Sequence, residues 1–453
     1  MTAPGQGAAG HRPAVDATPW APTLAVTTGA AAAVLVLVLA VLAGRGDVAV
    51  AVAAPLLTAV VVRHRRPTGT VRAWFAGPAD EVGDDGRDLM TPDGTLRAAL
   101  WLDAPAGATA THVALTRQGR AVADALVHVD GTRRLPVTTR TVRTGPQEVA
   151  TAVVQGVGPG AASVAEPADA VDRRTVVLPR AAPLREVPLP PRLRGTTGAH
   201  PARRPGEGGD LRDVHPWGPG DRLRRIDWRV TARRSPDLRE LYVRREHTLA
   251  EAVVVLVVDS RDDVGPDPRT WRGPFPPDPA DATSLDRARE AAATLARAFL
   301  DQGDRVGLDD LGVRRRPLPP GGGRRQLQRV RHALARTHPA GDPPVRVRAP
   351  RLPSGALAVV FSTFLDDEAA AVATQWRAAG HRVVAVDVLP ALRSADLSSR
   401  ERLAVRLVTL TREDRVAELA DQGVEVVAWR DDPAVALQVL ARRGRRHAGA
   451  GVV

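Results

Sequence analysis

Between residues 21 and 43 the chain carries no charged side chain, and the stretch around 34–42 is an almost unbroken series of Val, Leu and Ala. A helix of that length covers the roughly 30 Å of hydrocarbon in a bilayer. Inside hydrocarbon only a backbone that satisfies its own hydrogen bonds is tolerated, so the segment reads as a membrane span. Arg45-Gly46-Asp47 makes a polar turn, and 48–62 is a second apolar run that contains Pro55. That run is shorter than the usual minimum of about 17 residues, and it crosses only if Arg63 snorkels or the bilayer thins. Together the two runs predict a transmembrane hairpin over 21–66, with helices over 21–43 and 48–62, behind a disordered tail over 1–20. The competing reading is a cleaved signal peptide, but the first run exceeds an ordinary h-region and a second run follows it.

Arg63, His64, Arg65, Arg66 and Arg72 follow the second run directly, whereas the turn between the runs has no net charge. The positive-inside rule then places the body in the cytoplasm of a multi-pass protein of the cell membrane. The formal charge is +12 and all 63 basic residues are arginine. These arginines are mostly interleaved with Asp and Glu, and aromatics make up only 3%, so stacking platforms for nucleic acid are scarce. The bilayer, not nucleic acid, is the expected partner for the basic surface. There is no cysteine, which excludes disulfides, thiolate metal sites and cysteine nucleophiles.

At 453 residues the chain is long enough for two or three domains. From 68 to 178, short β-type runs (71–75, 96–102, 112–116, 137–142 and 149–154) separated by Gly, Asp and Pro predict a small β-sandwich-like domain. Trp74 and Trp101 fall on these strands and read as core residues. The stretch 179–210, with PLPPRLRG and ARRPGEGG, reads as a Pro/Gly/Arg-rich linker.

From 250 to 443 strands alternate with helices, ahead of a flexible tail over 444–453. Residues 253–258 form an unbroken apolar run, expected of a strand covered on both faces. Further strands fit 306–311, 356–361, 383–388 and 424–429. Thr283 precedes a helical face of Leu285, Ala288, Ala292, Leu295 and Phe299, and Thr411 with Asp414 opens a helix closed by Gly423. The fold class is α/β, a doubly wound parallel sheet.

The densest segment lies at 211–249 and begins LRDVHPWGPGDRLRRIDWRVTARRSPDLRELYVRRE. It resembles the signature of a bacterial family catalogued as domain of unknown function 58. The resemblance is carried by Arg212, Gly218, Pro219, Gly220, Asp221, Arg225, Ile226, Asp227, Trp228, Ala232, Arg233 and Glu246. It implies a von Willebrand factor A-like sheet after the segment, and the family layout of two membrane helices, a β-rich region and an α/β domain covers nearly the whole chain. Asp221 and Asp227 lie among Arg222, Arg224, Arg225 and Arg229, a setting for guanidinium–carboxylate pairs. One reading is a structural clasp in which Trp228 plugs the sheet edge; the other is a surface for a partner protein.

A von Willebrand-type domain often holds Mg²⁺ through an Asp-x-Ser-x-Ser loop after the first strand, plus a Thr and an Asp from later loops. Here the first loop reads Asp259-Ser260-Arg261-Asp262-Asp263, the second Pro320-Gly321-Gly322-Gly323-Arg324-Arg325, and a later strand ends Ser362-Thr363. Arg261 and Asp263 stand where serines are expected, so the site near Asp259 and Asp263 reads as degenerate. No cofactor is expected, and a guanidinium–carboxylate pair is expected to fill the space.

The Gly321–Gly323 run lacks the Lys-Ser/Thr ending of a P-loop, and no serine or cysteine is placed near His215 by a recognisable pattern. The resulting expectation is a non-enzymatic scaffold, with no catalytic residue. The resemblance adds a partner, a MoxR-type AAA+ ATPase, in complex assembly or cell-envelope work. The alternative is a metal-dependent hydrolase using Asp259, Asp262, Asp263, Asp309 and Asp310.

Overall fold

The computed structural model describes residues 20–76, 94–195, 198–271, 277–314, 316–340 and 348–449. The tail expected over 1–20 lies outside the described residues except for Trp20, which opens a strand. The chain divides into two compact units, Met1–Thr141 with Pro146–Thr175, and Val142–Gly145 with Val176–Val453.

The first unit opens with strand β1 (Trp20–Pro22) and helices α1 (Leu24–Leu42) and α2 (Gly46–His64). Helix α1 is long and apolar enough to cross a membrane, with a mean hydropathy of 2.5 and only Ala33 and Ala40 buried; Gly46–Val61 is a shorter apolar segment. Helix α2 starts earlier than its apolar run and continues through Pro55. Seven more strands, wholly or mainly in this unit, precede β9 (Val171–Val177): β2 (Arg72–Phe75), β3 (Thr95–Asp103), β4 (Ala110–Arg117), β5 (Arg120–His128), β6 (Thr132–Arg140), β7 (Gly145–Val157) and β8 (Ser163–Ala165). With β9 they build two sheets, β1-β8-β7-β4-β5 with β9 on β7, and β2-β3-β6. Strand β5 is absent from the sequence reading because its side chains are almost all exposed, so it lacks the half-buried alternation that marks a strand. Trp74 is not core. It is 42% exposed and stacks across the β2–β3 ladder on Trp101, with ring centroids 6.4 Å apart and planes 6° from parallel.

In the second unit, β10 (His200–Pro216) and β11 (Tyr242–Ala250) form an antiparallel ribbon. Between them sit a single 3₁₀ turn, Leu223–Arg225, and the short helix α3 (Trp228–Arg234). The remaining strands are β12 (Val253–Val258), β13 (Arg305–Asp310), β14 (Leu318–Gly321), β15 (Leu357–Ser362), β16 (Arg382–Asp387) and β17 (Glu425–Ala428). They form one sheet in the order β14-β13-β12-β15-β16-β17, parallel throughout except for the edge strand β14. Helices α4 (Ser284–Asp301), α5 (Gly323–Ala335), α6 (Glu368–Ala378), α7 (Ser399–Asp421) and α8 (Pro433–Gly449) connect and follow these strands.

The unbroken apolar run of β12 has the cause expected of it. Val254, Leu256 and Val258 join a core with α4, α5 and α8, while Val253, Val255 and Val257 face α6 and α7. The sheet is therefore wound on both faces. Helix α4 carries the expected cap, with Thr283 and Asp286 bonding reciprocally. Helix α7 does not start at Thr411. Ser398 and Glu401 form its capping box, and Thr411 sits inside the helix with its hydroxyl on Leu407 O at 3.1 Å. Gly423 does close it, at φ +79°. The tail expected over 444–453 is helical to Gly449.

The stretch 179–210 is not a free spacer. Val187 is buried, and Ala181, Leu184, Leu189 and Leu193 pack on the core beneath α4, α5 and α8. Arginines of the α/β core hold its carbonyls: Arg331 donates to Pro179 O at 3.0 Å, Arg297 to Ala181 O at 2.8 Å and Arg382 to Leu189 O at 2.7 Å. Proline favours an extended backbone with few internal hydrogen bonds, and an extended strap leaves its carbonyls open to guanidinium donors. From His200 onward the stretch is already strand β10. Val187→Ala should therefore destabilise the α/β unit by about 2 kcal/mol, read as a lower denaturant midpoint of the full chain in detergent; an unchanged midpoint would mean that the strap is not packed.

Candidate functional site

In open α/β sheets, ligands bind outside the carboxyl ends of the strands, where the direction of winding reverses. Here that point lies between β12 and β15, neighbours whose connections run to opposite sides. Asp259 follows β12 and Ser362 ends β15, and the Ser362 hydroxyl donates to Asp259 Oδ2 at 2.7 Å.

Arg261 fills the space above them. Its Nε and Nη2 fork onto Asp259 Oδ1 and Oδ2, both at 2.8 Å. The same Nη2 donates to Asp366 Oδ1 at 2.9 Å, and Nη1 to Glu368 Oε2 at 2.8 Å. The side chains of Asp259 and Arg261 are 4% and 5% exposed, so this bidentate pair is screened from water. Burial works against the charge of Arg261, but hydrogen bonds and Coulomb attraction from Asp259 and Asp366 outweigh it and raise its pKa above the ordinary value. The guanidinium stays charged and is fixed among three carboxylates. A divalent ion at Asp259 would have to displace it, so the donor set as arranged does not fit such an ion.

Neighbouring edges are closed in the same way. Ser260 donates to Asp310 Oδ1 at 2.6 Å, and the backbone of Gly312 approaches so closely that a Cβ there would lie 2.3 Å from the Ser260 hydroxyl. Gly312 is thus a site residue that sequence reasoning missed; nothing in its local sequence distinguishes it from a turn glycine. On α7, Arg412 is ion-paired with Asp387 at the end of β16, each side chain 7% exposed, and donates to Thr363 O at 2.6 Å. Arg415, also on α7, pairs with Asp367 and donates to Phe364 O at 2.9 Å. Phe364 is buried and sits at φ +52°, a left-handed conformation that a phenylalanine holds only when its surroundings fix it.

The acidic residues considered for metal chemistry do not converge. Asp263 turns away from Asp259: Arg143 Nη2 lies 3.5 Å from it, and its Oδ1 accepts from Leu285 N at 3.3 Å. Beside it, Asp286 is ion-paired with Arg143, whose Nε lies 2.5 Å from Oδ2, and accepts from Thr144 N at 2.6 Å. Arg289 spans Thr144 and Thr337, and burial pushes its pKa down against the pull of Asp286 and Asp263. Asp309 accepts from Asp310 N at 2.8 Å. Among the described residues no three His, Asp or Glu side chains gather in a way that could hold a metal ion.

The signature segment folds as the tip of the β10–β11 ribbon. Asp221 accepts from Gly218 N at 3.1 Å, lies 3.1 Å from His215 Nε2 and 3.8 Å from Arg245 Nη2. Gly220, at φ +94°, makes the turn that brings it there. Asp227 caps α3 by accepting from Val230 N at 3.0 Å, and Arg244 Nε lies 4.0 Å away. The two aspartates thus take partners from His215, β11 and backbone N–H groups. Trp228 plugs nothing; it is 61% exposed. Arg233 is exposed and Arg225 half-buried, Arg212 lies 3.8 Å from Asp213, and Glu246 sits at the β-bulge opposite Gly206 and Leu211.

Residues 213–397 match the family described as "Protein of unknown function DUF58". The match supports that family assignment. It covers about two-fifths of the chain, from the end of β10 through Asp259, Arg261 and Ser362, so the tip and the Asp259–Arg261 pair fall inside it, while Arg412 and Arg415 lie beyond it. No curated protein and no solved structure matches the chain.

Breaking one side of the buried pair should be costly and replacing both sides much less so, because a lone buried charge is worse than none. Arg261→Ala should lower stability by about 3–5 kcal/mol. The double variant Asp259→Leu/Arg261→Met should recover most of that loss in a denaturation cycle, and additive losses would show that the two charges are not coupled.

Proposed function

We propose that this DUF58-type chain is a membrane-anchored, non-enzymatic interaction protein that works with a MoxR-type AAA+ ATPase in complex assembly or cell-envelope processes. The observation that carries this reading is Arg261, locked onto Asp259 at the place in the sheet where a ligand or catalytic ion would enter. An active site needs groups free to bind and react; here the principal carboxylate is committed to a resident cation. A strand order with the first strand at the centre and the third antiparallel at the edge supports a von Willebrand factor A-like identity. On that reading the edge is a degenerate metal site and the domain is a docking platform.

The anchor is α1. We assign α2 as the return limb of a transmembrane hairpin, with the arginines after it holding the body in the cytoplasm. The cluster of His64, Arg65, Arg66 and Arg72 supports that orientation.

The full chain in detergent, carrying an affinity tag, should capture a MoxR-type ATPase, and calorimetric titration with Mg²⁺ or Mn²⁺ should give no heat beyond dilution. Failure to capture the ATPase would overturn the partner assignment. Micromolar binding of either ion, lost in Asp259→Asn, would overturn the non-enzymatic reading in favour of metal-dependent hydrolysis.

A further inference from the structure

The ribbon tip between β10 and β11 combines two features that a surface in bulk water does not need. Four large apolar side chains stand exposed within it: Leu223 at 67%, Trp228 at 61%, Leu238 at 57% and Trp217 at 45%. Around them, between Trp217 and Leu241, the chain carries seven arginines against four carboxylates. Two of those four, Asp221 and Asp227, are turned onto groups of the tip itself: His215 and Gly218 N for the first, Val230 N for the second. What the tip presents outward is therefore indole and leucine set in a net positive field. Tryptophan concentrates where hydrocarbon meets headgroup, and each arginine near an anionic leaflet contributes about 1 kcal/mol of attraction.

We infer that the tip is a lipid-facing surface that binds anionic headgroups, with Trp217, Leu223 and Trp228 entering the interface and Arg229 and Arg233 at the phosphates. The occupant follows from charge complementarity and from α1, which is apolar enough to hold the chain at a bilayer. Tethering raises the effective concentration of lipid at the tip, so a modest intrinsic affinity suffices. The inference uses the anchor but not the ATPase, and either can fail without the other.

The absence of cysteine makes the test clean. The full chain carrying Leu223→Cys, labelled with an environment-sensitive dye, is reconstituted in nanodiscs of phosphatidylcholine with or without phosphatidylglycerol. Expected in the anionic discs are a blue shift and several-fold stronger quenching by nitroxide-bearing lipid, both lost in about 0.5 M salt and weakened by Arg229→Gln/Arg233→Gln. A label at Ala417→Cys, exposed on α7, should stay at its solvent value in both discs. The proposal is overturned if the Leu223 label gives no shift in anionic discs, an equal shift in both kinds, or a shift that appears only when the ATPase is added, which would make the tip a protein-docking surface. An equal response from the Ala417 label would likewise overturn it, as partition of the dye.

Discussion

The α/β unit depends on where Arg261 rests. A parallel sheet wound on both faces concentrates loop ends at its carboxyl edge, and here that edge gathers Asp259, Asp310, Ser362 and Asp387 within a few strands. Each buried carboxylate there sheds hydration that must be replaced. Arg261 supplies a fixed positive charge with five N–H donors to the first strand of the set and to Asp366 and Glu368; Arg412 does the same for Asp387. The two arginines complete the fold at the position where related topologies keep room for a ligand.

This arrangement links chemistry to mechanics. Three arginines tie loops and helices to the sheet: Arg261 holds the loop after β15, and Arg412 and Arg415 hold α7 over Thr363 and Phe364. The strap before β10 is held by the same kind of contact, arginine to backbone carbonyl, on the opposite face of the sheet. In a chain without lysine every long cation is a planar fork, able to bridge two acceptors at once.

Much of this is legible in the sequence, for identifiable reasons. The six apolar residues of β12 announce burial on both faces, the Thr283–Asp286 box announces the start of α4, and the Asp259-x-Arg261 spacing announces a guanidinium beside the first strand's carboxylate. What is not legible depends on contacts distant in sequence. The strap over 179–195 is composed like a linker and becomes structure only because α4, α5 and α8 offer an apolar face. Asp263 looks equivalent to Asp259 until Arg143, 120 residues earlier in the numbering, draws it away. Trp228 reads as a plug for the sheet edge, but it is exposed on α3, the helix that the Asp227 cap starts at the ribbon tip. Two stretches near α7 carry a capping pattern: Thr411-x-x-Asp414 resembles a helix start, but Ser398-x-x-Glu401 is the box that forms.

The central claim is that a guanidinium, and not a metal, is the cation of the sheet edge. Anomalous diffraction from crystals of the chain soaked in Mn²⁺ tests it most directly. The account predicts continuous density for Arg261 forked on Asp259 and no anomalous peak within bonding distance of that carboxylate. A peak coordinated by Asp259 and Ser362, with Arg261 swung outward, would contradict it.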